Sequence, residues 1–118
     1  MGRGSRRRID PGRTLVSRGE VWWVERPGSG RRPHLVLTRQ EAIQVLNALL
    51  AAPTTRTVRG IPTEVRLGLE DGMPEECALS LDNTTLIPKA LFVAPICRLG
   101  PDRMAQVCRA LALASGCA

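Results

Sequence analysis

Arg32 and Thr54 are the residues of this 118-residue chain best suited to chemistry. Arg32 follows a Gly-containing loop and directly precedes Pro33; Thr54 directly follows Pro53 some twenty residues on. A guanidinium is always charged and offers a planar fork of donors that fits phosphate oxygens. Pro33 has a fixed φ and no N–H, which stiffens the backbone beside that fork. An RNA phosphodiester carries its own nucleophile, the 2′-hydroxyl. Cleavage without a metal therefore needs that hydroxyl held in line and the more negative phosphorane stabilised. The pKa of a threonine hydroxyl is far too high for a free general base, so Thr54 is expected to position the phosphate or to stabilise its oxyanion. Alone, Arg-Pro is a surface strand start and Thr-Thr a strand end; the pairing of the two carries the reading.

Other side chains near these two could assist. Arg31, Thr55, Arg56 and Arg59 form local groups of phosphate-binding type beside them, with Arg26 close in sequence. Glu25 and His34 are the candidates for acid–base work. Glu25 and Glu20 flank the first loop, and His34 shares a face with Arg32 if the strand runs regularly through Pro33. Trp22 and Trp23 must alternate across a strand, one to the core and the other, taken as Trp23, free to stack on a base or to pack at an interface. Asp82 either contacts RNA or closes a turn.

These residues need a scaffold of short strands. Val21–Val24 reads as a strand, 27–30 as a turn and 35–37 as a second strand. Thr38 with Glu41 fits a capping box, and Ile43, Leu46 and Leu50 keep helical spacing. A strand over 48–52 then ends at Pro53, and further strands are expected at 63–67, 77–81 and 90–99. Pro101 and Asp102 open a last helix whose buried stripe is Met104, Val107, Cys108 and Leu111, with Gly116 as its stop. The fold class is mainly β with α: a small antiparallel barrel of SH3-like or CcdB-like kind, with a C-terminal helix and one or two short helices.

The formal charge of +6 is unevenly placed. Residues 1–18 carry six arginines and one acid, a balance of +5, and the remaining hundred carry 11 basic and 10 acidic groups. Bulk basicity is thus a weak argument for nucleic acid, and clustering a better one. Residues 1–17 read as a basic, disordered tail and 18–118 as a single domain. Cys77, Cys97, Cys108 and Cys117 form no C-x-x-C pair and no ligand spacing with His34, so zinc and other cofactors are not expected. Buried free thiols in a reducing cytoplasm are the expectation instead. No apolar run reaches the roughly 18 residues that span a bilayer, and no secretory signal is evident, so no membrane is expected.

In order and spacing, the chain resembles the MazF/PemK family of bacterial toxin endoribonucleases. The matching pieces are Arg18-Gly19-Glu20-Val21-Trp22, Arg32-Pro33, Ala52-Pro53-Thr54-Thr55 and Pro62-Thr63-Glu64-Val65, then Asp82, Lys89 and Leu99-Gly100 before the closing helix. The double tryptophan and the run from Thr54 to Gly60 are similar to actinobacterial members. The resemblance, over about residues 17–116, implies a homodimeric toxin of a type II toxin–antitoxin system. It implies metal-independent, sequence-specific cleavage of single-stranded RNA (mRNA, tRNA or rRNA) to 2′,3′-cyclic phosphate and 5′-hydroxyl ends, inhibiting translation and growth. Arg32 and Thr54 match its catalytic pair, and a MazE-like antitoxin, acidic and partly disordered, would block the groove by folding on binding. The family's D-Q-x-R-T is here Asp82-Asn83-Thr84-Thr85-Leu86, so one arginine is missing, leaving Arg56 or Arg59 to take its place. Two other readings share the barrel: a gyrase-poisoning toxin that does no chemistry, and a non-catalytic RNA-binding barrel.

Overall fold

Alternation of side chains along three strands builds two cores on opposite faces of one sheet. The computed structural model describes residues 15–117. Strand β1, Glu20–Arg26, forms a tight hairpin with β2, Gly30–Val36, through a turn in which the Ser29 N–H donates to the Arg26 carbonyl. A single helical turn, α1 (Gln40–Ile43), leads into β3, Ala48–Thr55. Strands β4 (Glu64–Leu67), β5 (Cys77–Ser80), β6 (Thr85–Pro88) and β7 (Phe92–Arg98) follow, and α2 (Pro101–Ser115) closes the chain. All pairings are antiparallel, in the order β4-β5-β3-β2-β1-β7, with β6 also paired to β3. This is the mainly β architecture with a C-terminal helix that the strand pattern predicts.

Val21, Leu35 and Ala52 face one way and pack with Leu67, Leu79 and Leu81 under Val107 and Ala110 of α2. Trp22, Val24, Val36, Leu49 and Ala51 face the other way and pack with Ile43, Ile87 and Phe92. Burying each large aliphatic chain, such as Leu35 or Leu49, contributes ~1.5–3 kcal/mol. Both faces are therefore covered, and only the strand ends remain to carry polar chemistry. Gly19, at φ +87, turns the chain into β1 in a conformation that L side chains rarely adopt, which explains the glycine of the Arg-Gly-Glu run.

Several expectations need correction. Thr38 caps no helix: its hydroxyl oxygen accepts the Leu50 N–H at 2.7 Å, and α1 begins without a side-chain cap. The apolar spacing through Leu46 and Leu50 is not a buried helical face either, since both side chains are exposed. Strand β3 does not end at Pro53 but runs on to Thr55. Pro53 sits where β3 passes from pairing with β2 to pairing with β5, so its missing N–H falls where the ladder changes partner. Strand β6 is a further strand beyond those the sequence pattern predicts, and β7 starts at Phe92 rather than at residue 90. On α2 the stripe is Val107 and Ala110 flanked by Met104 and Leu111, while Cys108 faces outward. Cys77 and Cys97 are the buried thiols, whereas Cys108 and Cys117 are exposed.

Residues 1–14 of the expected tail lie outside the described residues; of its last three, Val16 packs against the second core. No helix among the described residues is long and apolar enough to cross a membrane.

Candidate active site

The ends of β1, β2 and β3 meet where the two cores stop. Two hollows open there, of about 330 Å³ and 510 Å³. Arg32, Thr54 and Thr55 line both. The smaller adds Trp23, Arg31, Arg56, Glu75 and Cys77. The larger adds Arg26, His34, Arg59, Ser80, Asn83 and Thr85. Thus the sheet brings Arg32 and Thr54 together from two neighbouring strands, as their sequence context predicts.

Thr54 is buried, and its hydroxyl donates to the Pro33 carbonyl at 3.2 Å. That bond aims the oxygen from β3 towards the backbone that carries Arg32. Next to it, the Thr55 hydroxyl oxygen accepts the Thr57 N–H at 3.1 Å, a local turn that leads the chain out of β3.

The arginines divide by partner. Arg31 lies 3.6 Å from the Glu25 carboxylate, its register partner across the hairpin, and its guanidinium sits 5.5 Å over the Trp23 ring. Arg56 pairs with Glu75 at 2.9 Å. Arg59 pairs with Glu64 at 3.6 Å, and the other oxygen of that carboxylate accepts the Arg59 and Gly60 N–H groups. Among the described residues no carboxylate pairs with Arg32 or Arg26. The larger hollow thus holds two arginines whose charge is unopposed, a natural seat for a phosphate.

His34 is buried on β2, with Nδ1 3.0 Å from the Arg32 carbonyl oxygen. A carbonyl only accepts, so Nδ1 carries the proton and Nε2 keeps its lone pair. Burial lowers the His34 pKa from its ordinary 6.5, and the charges of Arg26 and Arg32 lower it further, against the opposing pull of the Arg32 carbonyl bond. The strand is regular enough through Pro33 that Arg32 and His34 line the same hollow. Burial also pushes the Cys77 thiol up to about 11, with nearby Glu75, Glu76 and Asp71 adding to it, so the thiol lining the smaller hollow is protonated.

The remaining predicted residues fall elsewhere. Glu25 lines neither hollow and is taken up by Arg31. Glu20 is a fully buried structural acid at the far end of β1, held by Trp22 Nε1 at 3.0 Å and Arg98 at 2.7 Å. Asp82 accepts a hydrogen bond from the Thr63 hydroxyl at 2.6 Å and lines neither hollow. Trp22 is core and Trp23 lines the smaller hollow, the division that strand alternation predicts. Ser80 and Asn83, joined by a 2.7 Å hydrogen bond, were not singled out from sequence. For Asn83 the signal was the polar run at 82–85; Ser80 ends a short apolar strand and gives none. Thr85, which stands where an arginine was expected, shares its hollow with Arg59 and Arg26, while Arg56 lines the other.

Comparison with known proteins places this geometry in context. Residues 17–115 match the model for the PemK-like, MazF-like toxin of type II toxin–antitoxin systems. The probable endoribonuclease MazF5 of Mycobacterium tuberculosis is 42% identical over 104 residues, covering 87% of this chain and 95% of that protein. The structure of the Mycobacterium tuberculosis toxin MazF-mt6 superposes with a TM-score of 0.76 at 29% identity, covering 82% of this chain and 96% of the other. An endoribonuclease in complex with its cognate antitoxin, from Mycobacterial species, superposes at 0.78 with 26% identity, covering 86% and 96%.

Proposed function

Because the chain belongs to the PemK-like, MazF-like toxins of type II toxin–antitoxin systems, we propose that it is an endoribonuclease that cuts single-stranded RNA without a metal. The observation that carries the site assignment is the convergence on both hollows of Arg32, which pairs with no carboxylate among the described residues, and the buried Thr54. A phosphodiester seated between them puts its non-bridging oxygens against the Arg32 fork, which stabilises the added charge of the phosphorane. The Thr54 hydroxyl rests on the Pro33 carbonyl. Rotation about its C–O bond transfers that donor to a phosphate oxygen at a cost of about 1 kcal/mol.

The nucleotides on either side of the phosphate would occupy the two hollows. Trp23 offers a ring for stacking in one, and Ser80, Asn83 and Thr85 offer hydrogen bonds to a base edge in the other. Arg31, Thr55, Arg56 and Arg59 would add backbone contacts. Only an unstacked strand can present its bases to both hollows while its 2′-hydroxyl lies in line, so single-stranded RNA is the substrate. Products are a 2′,3′-cyclic phosphate and a 5′-hydroxyl. The enzyme would act in the cytoplasm as a homodimer, and an acidic antitoxin segment would compete with RNA for Arg26 and Arg32.

The test is incubation of a long single-stranded RNA with pure protein in EDTA, with Arg32→Ala alongside and the new 5′ ends mapped. Discrete 5′-hydroxyl ends that vanish in the variant are expected. Intact RNA from folded wild-type protein overturns the reading and points to a protein target such as gyrase. RNA binding without cuts points to a non-catalytic barrel.

A further inference from the structure

The proposed cleavage needs a group that takes the 2′-hydroxyl proton. Four titratable side chains near the site could do so, and the structure separates them. Glu25 lines neither hollow and is paired with Arg31. Glu75 is held by Arg56 at 2.9 Å, and the Cys77 thiol is buried and protonated. No carboxylate lines the larger hollow among the described residues; the charged groups around it are Arg26 on β1, Arg32 on β2 and Arg59 after β3. Thr54, Ser80, Asn83 and Thr85 complete its polar lining without charge. His34 alone in that hollow can accept a proton near neutral pH.

Resting on the ribonuclease reading above, we propose that His34 is the general base, taking the 2′-hydroxyl proton on Nε2 while its Nδ1–H stays fixed to the Arg32 carbonyl oxygen. The same hydrogen bond couples the base to the backbone of the arginine that binds the phosphate, so both groups are registered by one strand. In the step, the 2′-O–H bond breaks and its proton moves to Nε2. The 2′-oxygen bonds to phosphorus, and the P–O5′ bond breaks with its electron pair going to the 5′-oxygen. That oxygen takes a proton from water, and the resulting hydroxide removes the added proton from the imidazolium. No further reactant is consumed. Burial and the two arginines keep the ring neutral, and so competent as a base, at neutral pH.

The test is single-turnover cleavage of an oligonucleotide spanning a mapped cut, followed from pH 4.5 to pH 8.5. Wild-type protein should show an acid limb, with log rate rising by about one per pH unit below the His34 pKa and then levelling. His34→Gln and His34→Asn, the latter keeping a donor for the Arg32 carbonyl, should both slow cleavage by about 10²- to 10⁴-fold. Both should also lose the limb. Glu25→Gln, at a residue lining neither hollow, should keep limb and rate, and Glu75→Gln should keep the limb. Replacing the 5′-bridging oxygen by sulfur, a leaving group that needs no proton, should not rescue the His34 variants. Rescue by sulfur would assign His34 to the leaving group instead. A flat wild-type profile, or a folded His34 variant that keeps the limb and a rate within threefold, overturns the proposal. It does so while loss of cleavage in Arg32→Ala still upholds the ribonuclease reading.

Discussion

Arg98 on β7 places a guanidinium nitrogen 2.7 Å from the carboxylate of Glu20 on β1, which has no exposed surface. The same carboxylate takes hydrogen bonds from Trp22 Nε1 at 3.0 Å and the Ser17 N–H at 2.8 Å. One acid thus ties the edge strand, the core tryptophan and the chain entering β1. Arg98→Ala removes a charged hydrogen bond and should cost about 2 kcal/mol. Glu25→Ala breaks only a surface pair and should stay within about 0.5 kcal/mol of wild type. Urea unfolding of the two variants checks the contrast.

The division of arginines by partner predicts unequal contributions to RNA binding. Arg32→Ala and Arg26→Ala should each reduce the dependence of log affinity on log salt by about 0.7, the value for one phosphate on a single strand. Arg31, Arg56 and Arg59 must first release Glu25, Glu75 and Glu64, so their alanine variants should change the slope less. In cleavage, Arg32→Ala should lose about 10²- to 10³-fold. Arg32→Lys should not restore it, because a point charge lacks the fork.

Thr54→Val keeps the shape and removes the hydroxyl that donates to Pro33. Stability should fall by about 1 kcal/mol. Cleavage should fall by tenfold or more, about 1.4 kcal/mol of barrier. Thr54→Ser should retain most of both, and paired melting and cleavage assays separate the two effects.

The lowered pKa of His34 links folding to pH. A neutral ring is favoured in the folded chain, so above the unfolded value of 6.5 both states are neutral and this residue adds no slope. As pH falls through 6.5 towards the lower folded pKa, the unfolded chain takes up the proton first and folding weakens. The expected result is a stability that declines below pH 6.5 in the wild type and less in His34→Gln, measured by denaturant titration at several pH values.

Thiol chemistry gives a check on the packing. Cys108 and Cys117 are exposed and should react with a maleimide in the native state. Cys77, buried and held near 11, and Cys97 should react only after unfolding. Mass spectrometry of digested, labelled protein reads all four.

Local rules were reliable where one strand decides its own pattern. The Val21 to Val24 alternation sends Trp22 inward and Trp23 to a hollow because side chains change face every residue. Pro101 and Gly116 mark the ends of α2 because the first-turn N–H groups need no partner and a left-handed stop, here at φ +76, favours glycine. Helical spacing held for Ile43, buried on α1, and misled at Leu46 and Leu50. A periodicity of apolar residues does not show which N–H groups will be satisfied, and Thr38 meets that of Leu50 from the start of the segment. Strand β6, of four residues and ending in a proline, has too few positions for alternation to show.

By itself the sequence determined the pair Arg32 and Thr54, their stiffening prolines and the family to which they belong. These rest on residue identity and order, which the chain carries directly. Only the tertiary structure decided which arginines pair with a carboxylate among the described residues, that His34 and not Glu25 lines a hollow with Arg32, and that Thr54 leans on Pro33. Those facts depend on contacts across strands and the loops that follow them, such as Glu25 with Arg31 and Arg56 with Glu75. Register and sheet order, not spacing along the chain, bring such charges within 4 Å of one another.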